Sequence, residues 1–102
     1  MITFDPKKLK DVMINEEGYT ESEYYFQLKV LERLDEKLQE PFDLWLYERK
    51  ISTDFNVEGI TLELIMKKHH CTFLSALATM STYLNNTEMA KRFFTHPTHF
   101  KY

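Results

Sequence analysis

Apolar residues return at helical spacing through most of this chain, and the breaks between the runs carry helix-start and helix-stop chemistry. Leu9, Val12 and Met13 share one helix face, preceded by Asp5-Pro6 and followed by Gly18. A first helix over 6–17 is therefore predicted, with Asp5 taking up free amides of the first turn, proline at the first helical position and Gly18 as the stop. A second start is marked by Thr20 and Glu23, the residue pair of a capping box, with Tyr19 and Tyr24 at the flanking staple positions. From there Tyr24, Leu28, Leu31, Leu34 and Leu38 form a stripe opposite Glu32, Arg33, Glu36 and Lys37. This spacing predicts a long amphipathic second helix over 20–39, the spine of the fold, kinked or ended at Pro41.

The apolar phase carries on through Phe42, Trp45 and Leu46, which predicts a short helix bent at the proline. The alternative is a buried strand over 44–47, weakened by the lack of a clear second strand to pair with it. Residues 52–56 read as a loop, and Asn56 or Thr61 is the expected cap of a helix carrying Ile60, Leu64 and Ile65 to about His70. Thr72 caps the next, whose stripe of Phe73, Leu77, Met80 and Leu84 ends at Asn85-Asn86. A last short helix starts at Thr87 and fades near Thr95, because Pro97 disfavours helical geometry at His96. The fold expected is all-α, a compact bundle of four to five helices forming one domain over 1–95, with a C-terminal tail over 96–102.

Composition narrows the function. The 102 residues are 43% hydrophobic, enough for one modest core. No stretch approaches the roughly 18 to 20 apolar residues of a membrane span, and the first residues lack a basic-then-apolar leader, so a cytoplasmic protein is expected. Cys71 is the single cysteine, which excludes an internal disulfide, and its expected place is a small core position. With only Gly18 and Gly59 in the chain, no glycine-rich loop is present to cradle a phosphate, and no cofactor is expected.

Charge is unevenly distributed. Residues 1–50 hold 8 basic against 12 acidic side chains, whereas 67–102 hold 5 basic against Glu88 alone, and all 4 histidines lie there. At a net charge of −3 the whole chain offers no field to recruit nucleic acid or an anionic membrane, so any electrostatic recognition is local.

Four kinds of chemistry compete for the candidate residues. A helix-turn-helix around His70-Cys71 would make the helix from Thr72 to Leu84 the reader of a major groove, but that helix offers hydroxyls and methyls where base readout needs Arg, Lys, Asn or Gln. In the basic aromatic end, Lys91, Arg92 and Lys101 can neutralise phosphates and Phe93, Phe94, Phe100 and Tyr102 can stack on unpaired bases, which makes nucleic-acid binding the alternative function. The competing reading of that end is that Phe93 and Phe94 finish the core and the rest is a loose terminus. Zinc is disfavoured: adjacent His69, His70 and Cys71 point about 100° apart on a helix. Catalysis lacks a nucleophile paired with a base, so an enzyme is not expected.

Protein binding is the leading expectation. Aromatic residues make up 15% of the chain, more than a small helical core readily hides, and Tyr and Trp are the types enriched at interface hot spots. Tyr25, Trp45, Tyr47, Tyr83 and Phe94 are the predicted partner-binding residues. The expected function is that of a small non-enzymatic regulator, adaptor or inhibitor. By fold-level analogy alone it is of the kind that phages and mobile elements direct at host transcription or replication machinery. A homodimer is the other protein-level option.

Overall fold

Free amides at a helix start need acceptors, and in a computed structural model of the chain, which describes residues 1–95, Asp5, Thr20, Thr61 and Thr72 each supply one. The contacts divide the chain into two compact units, Met1–Lys50 and a second that begins at Ile51. Among the described residues there are six α-helices and a single two-stranded ribbon, so the all-α class holds.

In the first unit, Asp5 accepts from the Lys7 amide at 3.0 Å and Pro6 opens helix α1, Pro6–Lys10. The predicted helix continues, but its second half, Asp11–Glu16, is wound as a π-helix, closed by the Glu17 amide donating to the Val12 carbonyl at 2.9 Å. Leu9, Val12 and Met13 are fully buried along it, and Gly18, at φ +76°, ends it. Helix α2, Glu21–Glu32, opens on the predicted capping box with both bonds formed. The Glu23 amide donates to the Thr20 hydroxyl at 3.1 Å, and the Thr20 amide donates to the Glu23 carboxylate at 2.8 Å.

The expected long second helix, kinked or ended at Pro41, is corrected. It stops at Glu32, well before the proline. Asp35 takes an extended backbone, φ −62° and ψ 134°, and its carboxylate accepts from the Lys37 amide at 2.9 Å. It caps a 3-10 turn, Glu36–Leu38, that leads straight into helix α3, Gln39–Glu48. A short side chain that bonds its own backbone two residues on competes with helix propagation, and here it wins. Pro41 then sits in the first turn of α3, where an amide has no intrahelical acceptor and its absence costs nothing. This break makes α3 a helix of its own, and it settles 44–47 as helix, not strand.

The core of this unit gathers Ile2, Leu9, Val12, Met13, Tyr24, Leu31, Leu38, Phe42, Trp45 and Leu46, each at most 5% exposed. The start of the chain is pinned by Gln39, whose amide group accepts from the Thr3 amide and donates to the Thr3 carbonyl, both at 2.7 Å. At the other end Arg49 holds a left-handed backbone, φ +56°. Its guanidinium bonds Glu16 at 3.0 Å, Glu17, and the Trp45 carbonyl at 2.9 Å, and lies 4.7 Å from the Trp45 ring centroid. Three acceptors and a ring hold the side chain of a residue whose backbone geometry is costly for anything but glycine.

In the second unit, the region expected to be loop ends in a hairpin. Strands β1, Asn56–Val57, and β2, Ile60–Thr61, pair antiparallel with Val57 opposite Ile60. Glu58 and Gly59 both have positive φ, +54° and +81°, the geometry of a two-residue type I′ turn. Thr61, one of the two expected caps, accepts from the Leu64 amide at 3.2 Å and starts α4, Leu62–His69. The other expected cap, Asn56, is in β1. His70 closes α4 in the left-handed region, φ +52°. Thr72 caps α5, Phe73–Asn85, and Asn86 caps α6, Thr87–Lys91. Helix α5 is the interior element: Phe73, Leu74, Ala76, Leu77, Met80, Ser81 and Tyr83 are all buried.

Candidate functional site

On α2 the apolar stripe faces inward, with Tyr24 and Leu31 buried and Leu28 half-buried. At about 100° per residue, Tyr25 lies roughly 100° and Phe26 roughly 200° round from Tyr24, so neither can share that face. Both stand in solvent, 53% and 63% exposed. Two adjacent large aromatics therefore lie largely outside the core on this helix. Tyr25 was legible as a candidate; Phe26 was missed, although its phase opposite the stripe is the signal that finds it.

The surroundings position Tyr25. Its ring meets Tyr24 edge-on at 5.2 Å, and the Lys10 ammonium lies 6.0 Å from the Tyr25 ring centroid and 5.9 Å from that of Tyr24. The same ammonium is 3.6 Å from Glu21. Burial pushes the Tyr24 phenol up, against the opposing pull of Lys10, so it stays a neutral donor at 3.4 Å to the Pro6 carbonyl. Lys10 and Glu21 also line an open cleft of about 440 Å³ together with Lys7, Asp11, Ile14 and Asn15. Asp11, Ile14 and Asn15 come from the π-helical stretch, where the Asn15 amide donates to Asp11 at 2.7 Å. Turns of this kind are rare and recur at functional sites. Lys10 thus joins the rim of the cleft to the Tyr25 ring.

The other predicted partner-binding residues divide. Tyr47 on α3 is 51% exposed, but among the described residues no ring contact joins it to Tyr25 or Phe26. Trp45, 5% exposed, and Tyr83, 7% exposed, are core residues, which removes them from any contact surface. Trp45 sits on the inner face of α3 with its ring 6.1 Å from Phe42, and the Tyr83 ring lies 6.1 Å from Phe93. Burial also raises the Tyr83 phenol. For these two the apolar body outweighs the polar edge, as the stripe spacing of Phe42, Trp45 and Leu46 implied.

In the second unit the basic aromatic end is sorted in the same way. Phe93 is 6% exposed and packs against Tyr83, so it is not available for stacking, whereas Phe94 is 61% exposed. Lys91 and Arg92 are exposed; Lys101, with the histidines at 96 and 99 and the expected tail, lies outside the described residues. Lys68 bridges α4 to this end: its ammonium donates to the Phe93 carbonyl and lies 4.2 Å from that ring centroid.

Other chemistries find little purchase. The hydroxyls of Thr79 and Thr82 on α5 donate to the Ser75 and Ala78 carbonyls of their own helix at 3.1 and 3.2 Å, so they are not free to read bases. Among the described residues no group of three or more His, Cys, Asp or Glu is placed to hold a metal ion. Cys71 is half-buried, and that burial raises its thiol, so it is held away from the nucleophilic thiolate. No helix among the described residues is long and apolar enough to cross a membrane. Compared with known proteins, the chain matches no family model, no curated protein and no solved structure.

Proposed function

We propose that this chain is a small non-enzymatic regulator or adaptor that captures another protein on the Tyr25–Phe26 face of α2. The observation that carries the reading is the pair of adjacent exposed aromatics on α2, of which Tyr25 meets Lys10 at the rim of the cleft lined by Lys7, Lys10, Asp11, Ile14, Asn15 and Glu21. A partner segment with one apolar side chain between polar ones fits it. The apolar group enters beside Ile14, its neighbours meet the mixed charges of the rim, and Tyr25 and Phe26 cover the contact. Interfaces of this build concentrate their energy in a few aromatic anchors, each worth about 2 kcal/mol or more, which is roughly 30-fold in Kd.

The test is an affinity capture from the native cells with wild-type chain and with Tyr25→Ala and Phe26→Ser as baits, followed by titration of the purified partner. The expected result is one stoichiometric partner retained by wild type and by Tyr47→Ala, and lost or weakened at least 30-fold by either α2 variant at unchanged helical content. A partner that binds all four baits equally overturns the proposal. If light scattering instead shows a dimer that Phe26→Ser dissolves, the face belongs to a second copy of the chain and the adaptor reading fails.

A further inference from the structure

A second surface, independent of the α2 face, is assembled where α4 ends. Residues 67–70, Lys-Lys-His-His, and residues 91–94, Lys-Arg-Phe-Phe, are far apart in sequence, yet the Lys68 bond to the Phe93 carbonyl fastens one to the other. The His69 ring lies 6.2 Å from that of Phe93, and the Phe94 ring meets Phe93 edge-on at 5.0 Å. Phe93 is thus a buried hub that touches the Lys68 ammonium, the His69 ring and the exposed Phe94 ring.

The charges there are largely uncompensated. From the start of α4 to residue 95 the chain has four cationic side chains, Lys67, Lys68, Lys91 and Arg92, against Glu63 and Glu88. Among the described residues neither Lys67 nor Arg92 has a carboxylate within ion-pair distance, and the Lys91–Glu88 pair, at 3.7 Å, is solvent-exposed and weak in water. Lys68 donates to a neutral carbonyl, which is no counter-ion. The negative end of α4 subtracts about half a charge at most, so the cations prevail.

We infer that this face binds single-stranded nucleic acid, with Lys67, Lys91 and Arg92 on phosphates and Phe94 stacked on an unpaired base. Single strands are favoured over duplex because α5, the only long helix of this unit among the described residues, is spent on the core, while one exposed ring flanked by cations is the unit of base stacking. Phe94 suits such stacking because its edge contact with a core ring fixes it while 61% of the residue is open to solvent.

The experiment is fluorescence anisotropy of a labelled 15-nucleotide single strand with the full chain, titrated at salt concentrations from 50 to 200 mM. Three phosphate contacts give a log–log salt slope of about −2, hence an affinity loss of roughly 20-fold across that range. Lys67→Ala with Arg92→Ala flattens the slope to about −0.7, or roughly threefold. Phe94→Ala lowers affinity about tenfold and leaves the slope unchanged. Lys101 is retained in every variant, so a slope that survives the double substitution places the phosphate contacts elsewhere and overturns the proposal. No binding at 50 mM salt overturns it too. Equal binding of poly-glutamate would assign the face to an acidic protein, and phosphatidylserine vesicles bound in place of the oligonucleotide would assign it to a lipid surface; either result refutes the nucleic-acid reading.

Discussion

Phe93→Ala separates a docked chain end from a loose one. Phe93 is 6% exposed, and its ring meets Tyr83 at 6.1 Å, Phe94 at 5.0 Å and His69 at 6.2 Å, with the Lys68 ammonium 4.2 Å above it. Returning a phenyl group to water costs roughly 1.5–3 kcal/mol, and the cavity it leaves brings truncation of a buried Phe to about 3–5 kcal/mol. A site this close to the end of the helical region can partly collapse, so about 3 kcal/mol is the expected loss. For a cooperatively unfolding unit of up to about 100 residues that corresponds to a fall in Tm of at least roughly 12 °C. Urea unfolding followed by circular dichroism, with the thermal midpoint as a second reading, measures it. Phe94→Ala, at a position 61% exposed, is the control and should shift stability by less than about 0.5 kcal/mol. A loss below about 1 kcal/mol for Phe93→Ala, or equal losses for the two variants, would refute the reasoning, because the hub would then not be packed in solution.

Three further outcomes follow from the local chemistry. Asp35→Ala should cost about 1 kcal/mol, since the aspartate ends one helical run and caps the next; an unchanged midpoint in denaturant melts would sink that account. Thr20→Ala should cost about 1 kcal/mol through the lost cap. In wild type the Thr20 amide, and then its hydroxyl, hold the Glu23 carboxyl below the ordinary carboxylate range. A depressed carboxyl stabilises the fold above its unfolded pKa and loses that contribution as pH falls through the folded value. Carbon-detected NMR titration should therefore find Glu23 rising in Thr20→Ala, and an unchanged titration would sink the capping-box account. Cys71, its thiol raised by burial, should react with iodoacetamide at neutral pH more slowly than the same residue in urea, as followed by mass spectrometry; equal rates would show that it is not buried.

Much of the local structure was legible because it is written in neighbouring residues. Asp5, Thr20, Thr61, Thr72 and Asn86 each accept a backbone amide within three residues, so the caps need no knowledge of the rest of the fold. The break at Asp35 was missed because the stripe of Leu31, Leu34 and Leu38 keeps its phase across it and Pro41 is the louder signal. The hairpin at Glu58-Gly59 was missed because strands of two residues are too short to show alternation. Among the candidate residues, Phe26 was recoverable from helical phase, but nothing local distinguishes Phe93 from Phe94.

What the sequence determined by itself was the helical class, the caps and the inward stripes, because a period of 3.6 and a capping side chain act over a few residues. Tertiary structure alone decided which aromatics are hidden and which distant segments meet. Trp45, Tyr83 and Phe93 are buried while Tyr25, Phe26, Tyr47 and Phe94 are exposed. Lys68 meets Phe93 across 25 positions of chain. Burial and long-range contact depend on which surfaces a segment distant in sequence covers, and that information belongs to the packing of the whole unit, not to any window of the chain.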